Sequence, residues 1–143
     1  MKRNFKIGIG LLWLILICRV SLNAQQLNID SLIQITKTGV DDTNKVIAFR
    51  ALCGATSNSN PQQSIDFGWK GVGLSKKLSW DKGTAGCLLN LSIAYSNLGK
   101  YDSSVLILDT ALVYAKKVGE EKRISLIYIN MASAYIYMGK LDN

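Results

Sequence analysis

The chain contains no histidine. That excludes catalytic triads, histidine general bases and histidine-containing zinc sites. Proline occurs once, at Pro61, and 48% of the residues are hydrophobic, a composition that argues against disorder. Cysteine is sparse: Cys18, Cys53 and Cys87 never form a C-x-x-C pair, so neither a thioredoxin-like redox couple nor a zinc ribbon has support. Acidic residues are few, 10 against 17 Lys and Arg in 143 residues. Four of those 17 cations, Lys2, Arg3, Lys6 and Arg19, lie in the first 24 residues, which leaves 13 basic and 10 acidic side chains, net +3, in residues 25–143. Such a mildly basic stretch does not have the composition of a nucleic-acid-binding domain. It is long enough to bury a core without disulfides.

Long apolar runs are also lacking. The uncharged, apolar run Ile7 to Cys18 has 12 residues, whereas about 20 are needed to cross the hydrocarbon core of a membrane. With Lys2, Arg3 and Lys6 before it and Ser21-Leu22-Asn23-Ala24 after it, the run has the layout of a cleaved secretory signal. An uncleaved anchor is the rival reading. A lipoprotein signal at Cys18 is disfavoured by the bulky Ile17 before it. The expected location is therefore periplasmic or extracellular, with no membrane insertion of the mature part. An oxidising compartment allows a disulfide between Cys53 and Cys87, but two small, buried apolar side chains are the simpler reading.

What the sequence does have is a repeat. Placing residues 82–103 over 122–143, an offset of 40, gives seven identities in 22 pairs: Lys82/Lys122, Asn90/Asn130, Ala94/Ala134, Tyr95/Tyr135, Gly99/Gly139, Lys100/Lys140 and Asp102/Asp142. The same offset places Ser64 over Ser104, Ile65 over Val105 and Lys76-Lys77 over Lys116-Lys117. Each copy reads as two helices. Leu88, Leu91, Ala94, Tyr95 and Leu98 recur at helical spacing, as do Val105, Leu108, Ala111, Leu112, Ala115 and Val118. Gly99 and Gly119 are suited to left-handed helix ends, and Pro61 to a helix start. A shorter helix is expected over Asp30–Lys37, and no stretch shows strand alternation. The predicted fold class is all-α.

These residues resemble the tetratricopeptide repeat (TPR) family. The middle copy supplies Leu88, Leu91, Ser92, Tyr95, Gly99, Tyr101, Ser104, Leu108, Ala111 and Leu112; the third supplies Tyr128, Met131, Ala132, Tyr135 and Gly139, with Leu141 in place of the turn tyrosine. The resemblance covers about residues 42–143 and implies helix-turn-helix units stacked in a right-handed superhelix, an α-solenoid, with units of 40 residues in place of the usual 34. The implied organisation is a signal peptide at 1–24, an N-terminal helix and linker at 25–41, a degenerate repeat at 42–81 and a second repeat at 82–121. A partial repeat follows at 122–143, its first helix ending in a turn at Gly139-Lys140-Leu141.

The first copy is irregular. Gly68, Gly71 and Gly73 fall within its second helix, each at a cost of about 1 kcal/mol relative to alanine. The expectation is a weak terminal repeat with Phe67 or Trp69 filling the space. A phosphate-binding loop is rejected, because Leu74 stands where lysine is required and no strand precedes it. Asp41-Asp42 and Glu120-Glu121 read as helix-start charges, and Lys76-Lys77 and Lys116-Lys117 as helix-end charges. No catalytic residue, metal site or cofactor site is expected. The Asn90-Leu91-Ser92 sequon lies mid-helix and reads as chance.

Asn90 and Asn130 occupy equivalent places on successive first helices, with Arg50 at that place in the first copy. Two readings stay open. They bond helix to helix or simply face solvent, or, as the TPR resemblance implies, they line a concave groove and ladder along a peptide backbone, an amide offering both donors and an acceptor. The groove would also include Leu89, Ile93, Asn97, Ile129, Ser133 and Tyr137. The implied function is a non-catalytic scaffold that binds a protein or peptide outside the cytoplasm. With its Asp41-Asp42-Thr43-Asn44-Lys45 entry and Ser59-Asn60-Pro61 turn, the chain also resembles the exported TPR sensor regions of bacterial receptors. The alternative that this resemblance implies is the N-terminal sensor portion of a membrane signalling protein (a histidine kinase, cyclase or transcriptional regulator). Finally, the last helix is apolar on nearly every face, with Ile124, Leu126, Ile127, Tyr128, Ile129, Met131, Ile136, Tyr137 and Met138. Either continuation of the native gene past Asn143 or self-association through this helix is expected to cover it.

The leader generates one direct prediction. Edman sequencing of the protein secreted by its own host should begin at Gln25; Met1 retained in a membrane fraction would contradict a cleaved signal.

Overall fold

The computed structural model describes residues 28–141; the leader expected at 1–24 lies outside them. The packing described below belongs to one compact unit, which begins at Leu32. Among the described residues every regular element is an α-helix. Helix α1 covers 28–38, close to the expected Asp30–Lys37. It is followed by α2 (Thr43–Thr56), α3 (Pro61–Lys77), α4 (Asp81–Asn97), α5 (Tyr101–Lys117) and α6 (Glu121–Leu141). None of these helices is long and apolar enough to cross a membrane.

Local chemistry fixes the helix ends. The Asp42 carboxylate accepts the Lys45 N–H at 2.9 Å, and the Asn60 side chain accepts the Gln63 N–H at 3.1 Å, so both start α-helices by satisfying a donor that has no partner within the helix. Pro61 takes the first position of α3. Gly99 and Gly119 adopt φ of 71° and 66°. There the Lys100 N–H donates to the Tyr95 carbonyl at 3.0 Å, and the Glu120 N–H to the Ala115 carbonyl at 3.1 Å, the bond that closes a Schellman turn. A third turn of the same kind ends α3, where Trp80 N–H donates to the Ser75 carbonyl at 2.8 Å. In that turn Ser79 holds the left-handed position at φ 53°. Helices α3 to α6 therefore start 20 residues apart, at Pro61, Asp81, Tyr101 and Glu121. The 40-residue repeat is two such half-units.

From α2 to α6 each helix packs on the next, and α2 also packs on α4. Leu52, Leu91, Leu108 and Ile127 are fully buried at the centre. Buried serines tie each second helix to the first: Ser64 Oγ donates to the Cys53 carbonyl at 2.5 Å, and Ser104 Oγ to the Ser92 carbonyl at 2.9 Å. Cys53 and Cys87 are buried and free. Burial pushes both thiols upward, Cys87 to about 12, which keeps them protonated and poorly nucleophilic at neutral pH.

Two expectations are corrected. The first concerns α3. Trp69 does not fill the space at the glycines; it is 47% exposed, its ring N–H directed at the Tyr95 hydroxyl at 3.4 Å. The neighbouring helices close in on α3 instead. A Cβ on Gly68 would stand 2.7 Å from Leu91 Cδ1 and 3.1 Å from Cys53 Sγ; one on Gly71 would stand 2.7 Å from Cys87 Sγ and 3.2 Å from Phe49 Cβ. These two glycines are close-approach positions between α3 and both α2 and α4. The second correction concerns α6, which continues helically through Gly139 to Leu141, where a turn was expected. At Gly99 and Gly119 the following helix packs back against the one just ended; among the described residues no helix follows α6 to draw the chain into a turn. The face of α4 that α5 covers, with Ser92 buried, corresponds to a face of α6 on which Tyr128, Ala132 and Tyr135 are exposed.

The glycines of α3 can be told apart by stability. Gly71→Ala should destabilise the fold by about 1–3 kcal/mol through overpacking. Gly73, with no atom within 4 Å of its would-be Cβ, should accept alanine with a gain of about 0.5–1 kcal/mol. Urea unfolding of the two variants checks this, and equal effects would show that the close approach is not what places Gly71.

Candidate functional site

The residues singled out from the sequence separate into groups. Asn90 Nδ2 donates to the Arg50 carbonyl at 2.9 Å, and Asn97 Nδ2 to the Ser57 carbonyl and Asn58 Oδ1, both at 2.8 Å. Both asparagines reach back about one repeat, from α4 to α2 and to the turn after it. Gly54 makes room for the first of these bonds, since a Cβ there would lie 3.0 Å from Asn90 Nδ2. The helix-to-helix alternative therefore describes the Asn90 amide nitrogen. Asn130 behaves differently: its Nδ2 donates to the Leu126 carbonyl of its own helix at 2.8 Å. Leu89 is only 8% exposed and belongs to the core, so it forms no groove floor. Ile129 is 64% exposed and lies outside the cleft described next. The Arg50 side chain lies over Gly86 of α4.

Five of the nine residues do come together. Ile93 and Asn97 of α4 face Asn130, Ser133 and Tyr137 of α6 across a cleft of about 360 Å³, completed by Ser96, Tyr101 and Ala134. The cleft exists because α6 packs much less closely on α4 than α4 does on α2. Where Asn90 bridges back to α2, Asn130 turns to its own helix, and the space between α4 and α6 stays open. At one end the rings of Tyr101 and Tyr137 stack, with centroids 5.3 Å apart and planes 8° apart. The lining contains no Lys, Arg, Asp or Glu. Amides and hydroxyls supply donors and acceptors, and Ile93, Ala134 and the two rings supply apolar walls. That arrangement suits an uncharged ligand segment with alternating polar and apolar groups.

Sequence reasoning did not place Ser96 or Tyr101 in the site. Tyr101 carried a signal, as the turn tyrosine after Gly99. Ser96 carried none, and its hydroxyl donates to Ser104 Oγ at 2.8 Å. Among the charge pairs, Asp42 caps α2 as expected. Asp41 meets Lys45 and Lys77, both at 3.1 Å, and these bonds, that to Lys77 foremost, hold its carboxyl below the usual range. Lys117 reaches Asp81 at 2.7 Å, which raises its ammonium.

Set against models of known protein families and against curated proteins, the chain matches none.

The two asparagines should differ on substitution. Asn90→Ala removes a bond between helices and should lower stability by about 1 kcal/mol. Asn130→Ala gives up only a bond within α6 and should stay within about 0.5 kcal/mol of the parent. Chemical denaturation of the two single variants is the check; equal losses would contradict the different roles.

Proposed function

We propose that this chain is an exported TPR-type binding protein, and that the cleft between α4 and α6 takes an extended, uncharged segment of a protein or peptide ligand without acting on it chemically. The observation that carries this reading is the lining of the cleft: two amides, two serine hydroxyls and a stacked tyrosine pair, with no charged side chain. A backbone segment needs donors and acceptors at intervals. The side-chain oxygens of Asn97, Asn130, Ser96 and Ser133 can accept, while the Ser133 hydroxyl and the second Asn130 amide hydrogen can donate, the Asn97 amide hydrogens and the Ser96 hydroxyl hydrogen being used within the protein. The side chains between need apolar contact, which Ile93, Tyr101 and Tyr137 offer. Helix starts at a 20-residue spacing from α3 to α6, with 17 residues in each of α3, α4 and α5, support the solenoid arrangement that the TPR resemblance implies, and the leader supports export.

The test is selection from a displayed peptide library on the immobilised protein, followed by calorimetry. Selected peptides should be poor in charged residues. Tyr137→Ala, which removes half of the stacked pair at an exposed position, should weaken them about tenfold or more with helicity unchanged; rings of this kind contribute on the order of 1 kcal/mol or more beyond their area. Strongly charged selected sequences, or full affinity in Tyr137→Ala, would contradict the reading.

A further inference from the structure

Two guanidinium groups share one glycine. Gly86 of α4 has no side chain, and the point its Cβ would occupy lies 2.9 Å from Arg50 Cδ and Nη1 and 3.4 Å from Arg123 Cζ. Arg50 arrives from α2 and Arg123 from the first turn of α6. Three elements therefore converge to set two like charges side by side.

The local charges do not balance. Arg123 Nη1 pairs with Glu120 Oε2 at 2.5 Å and donates to the Lys82 carbonyl at 2.7 Å. Glu120 also pairs with Lys82 Nζ at 3.1 Å. No carboxylate among the described residues pairs with Arg50. Lys82, Arg50 and Arg123 against Glu120 leave two positive charges uncompensated. Glu121 and Lys122, beside Arg123, cancel each other, and Asp81 is taken by Lys117. Arg123 is also largely withdrawn from water, its side chain 15% exposed. Burial lowers its guanidinium pKa, Arg50 adds to that lowering, and Glu120 opposes it. Like charges held together in a partly dry place mark a site that an anion completes.

We propose that Arg50 and Arg123 form a binding site for a dianionic oxyanion, the phosphate group, either free or as a monoester on a larger ligand. Each guanidinium presents a planar fork of N–H donors that matches such an oxyanion. The one carboxylate nearby, Glu120, already serves Arg123, and two charges remain for a ligand to neutralise. The site is distinct from the uncharged cleft and does not depend on it.

The test is a titration of the full chain with sodium phosphate, followed through the arginine Nε–H signals in nitrogen-15 NMR, ionic strength being held with sodium chloride. Arg50 and Arg123 should shift saturably with phosphate, and at least tenfold more weakly with acetate. Arg50→Gln should weaken phosphate binding at least tenfold with helicity retained, because Arg50 anchors Asn90 through its backbone carbonyl and not its side chain. Gly86→Ala is the second variant: its methyl meets the flexible end of Arg50, and it should cause the same loss. Methyl phosphate binding as tightly as inorganic phosphate assigns the site to an ester; inorganic phosphate alone binding assigns it to the free anion. Shifts no larger than those given by chloride, acetate as strong as phosphate, or unimpaired binding in both variants would overturn the site.

Discussion

The structure depends on one recurring closure. At the end of α3, α4 and α5 a single left-handed residue lets an N–H reach a carbonyl five residues back, and the chain reverses. Because the closures come 20 residues apart, three connecting residues separate helices of 17 residues, and each helix lies back against the one before it. Glycine adopts this conformation freely at positions 99 and 119; Ser79 adopts it against its preference within the same hydrogen-bond frame. The apolar stripes then face a neighbour without further instruction.

Much of this was legible. Seven identities at an offset of 40, the apolar spacing and the Gly99 and Gly119 signals together predict helices and turns that the structure contains. The finer period of 20 was hidden because the two helices of a unit share length and ending but not side chains; Ser79 in place of glycine obscured it further. The glycines of α3 were read through helix propensity, which treats them as a defect. Their reason is tertiary: Leu91, Cys53, Cys87 and Phe49 occupy the space a methyl would need, and no local pattern announces such an approach. The continuation of α6 past Gly139 has the same lesson in reverse, since a glycine permits a left-handed turn and packing must still draw the chain into it.

The site was half legible. Equivalence under the repeat singled out Asn90 and Asn130 together, and both are amides on first helices. Yet their hydrogen bonds diverge, because the spacing of α2 and α4 lets Asn90 span it while the wider gap between α4 and α6 leaves Asn130 beside an open cleft. Sequence equivalence fixes position on a helix, and the distance to the next helix decides what a side chain does there. The same divergence separates Arg50 from its asparagine counterparts: its backbone takes part in the repeat-to-repeat bond while its charged end lies on Gly86 beside Arg123.

The proposed role of the cleft of Ile93, Asn97, Tyr101, Asn130, Ser133 and Tyr137 is to hold a ligand segment. Intermolecular nuclear Overhauser effects between a selected peptide and the isotope-labelled protein test it most directly. Contacts from peptide protons to the Tyr101 and Tyr137 rings and to the Asn130 side-chain amide are predicted. Contacts confined to Tyr128, Tyr135 and Ile136 on the uncovered face of α6, with none in the cleft, would contradict it.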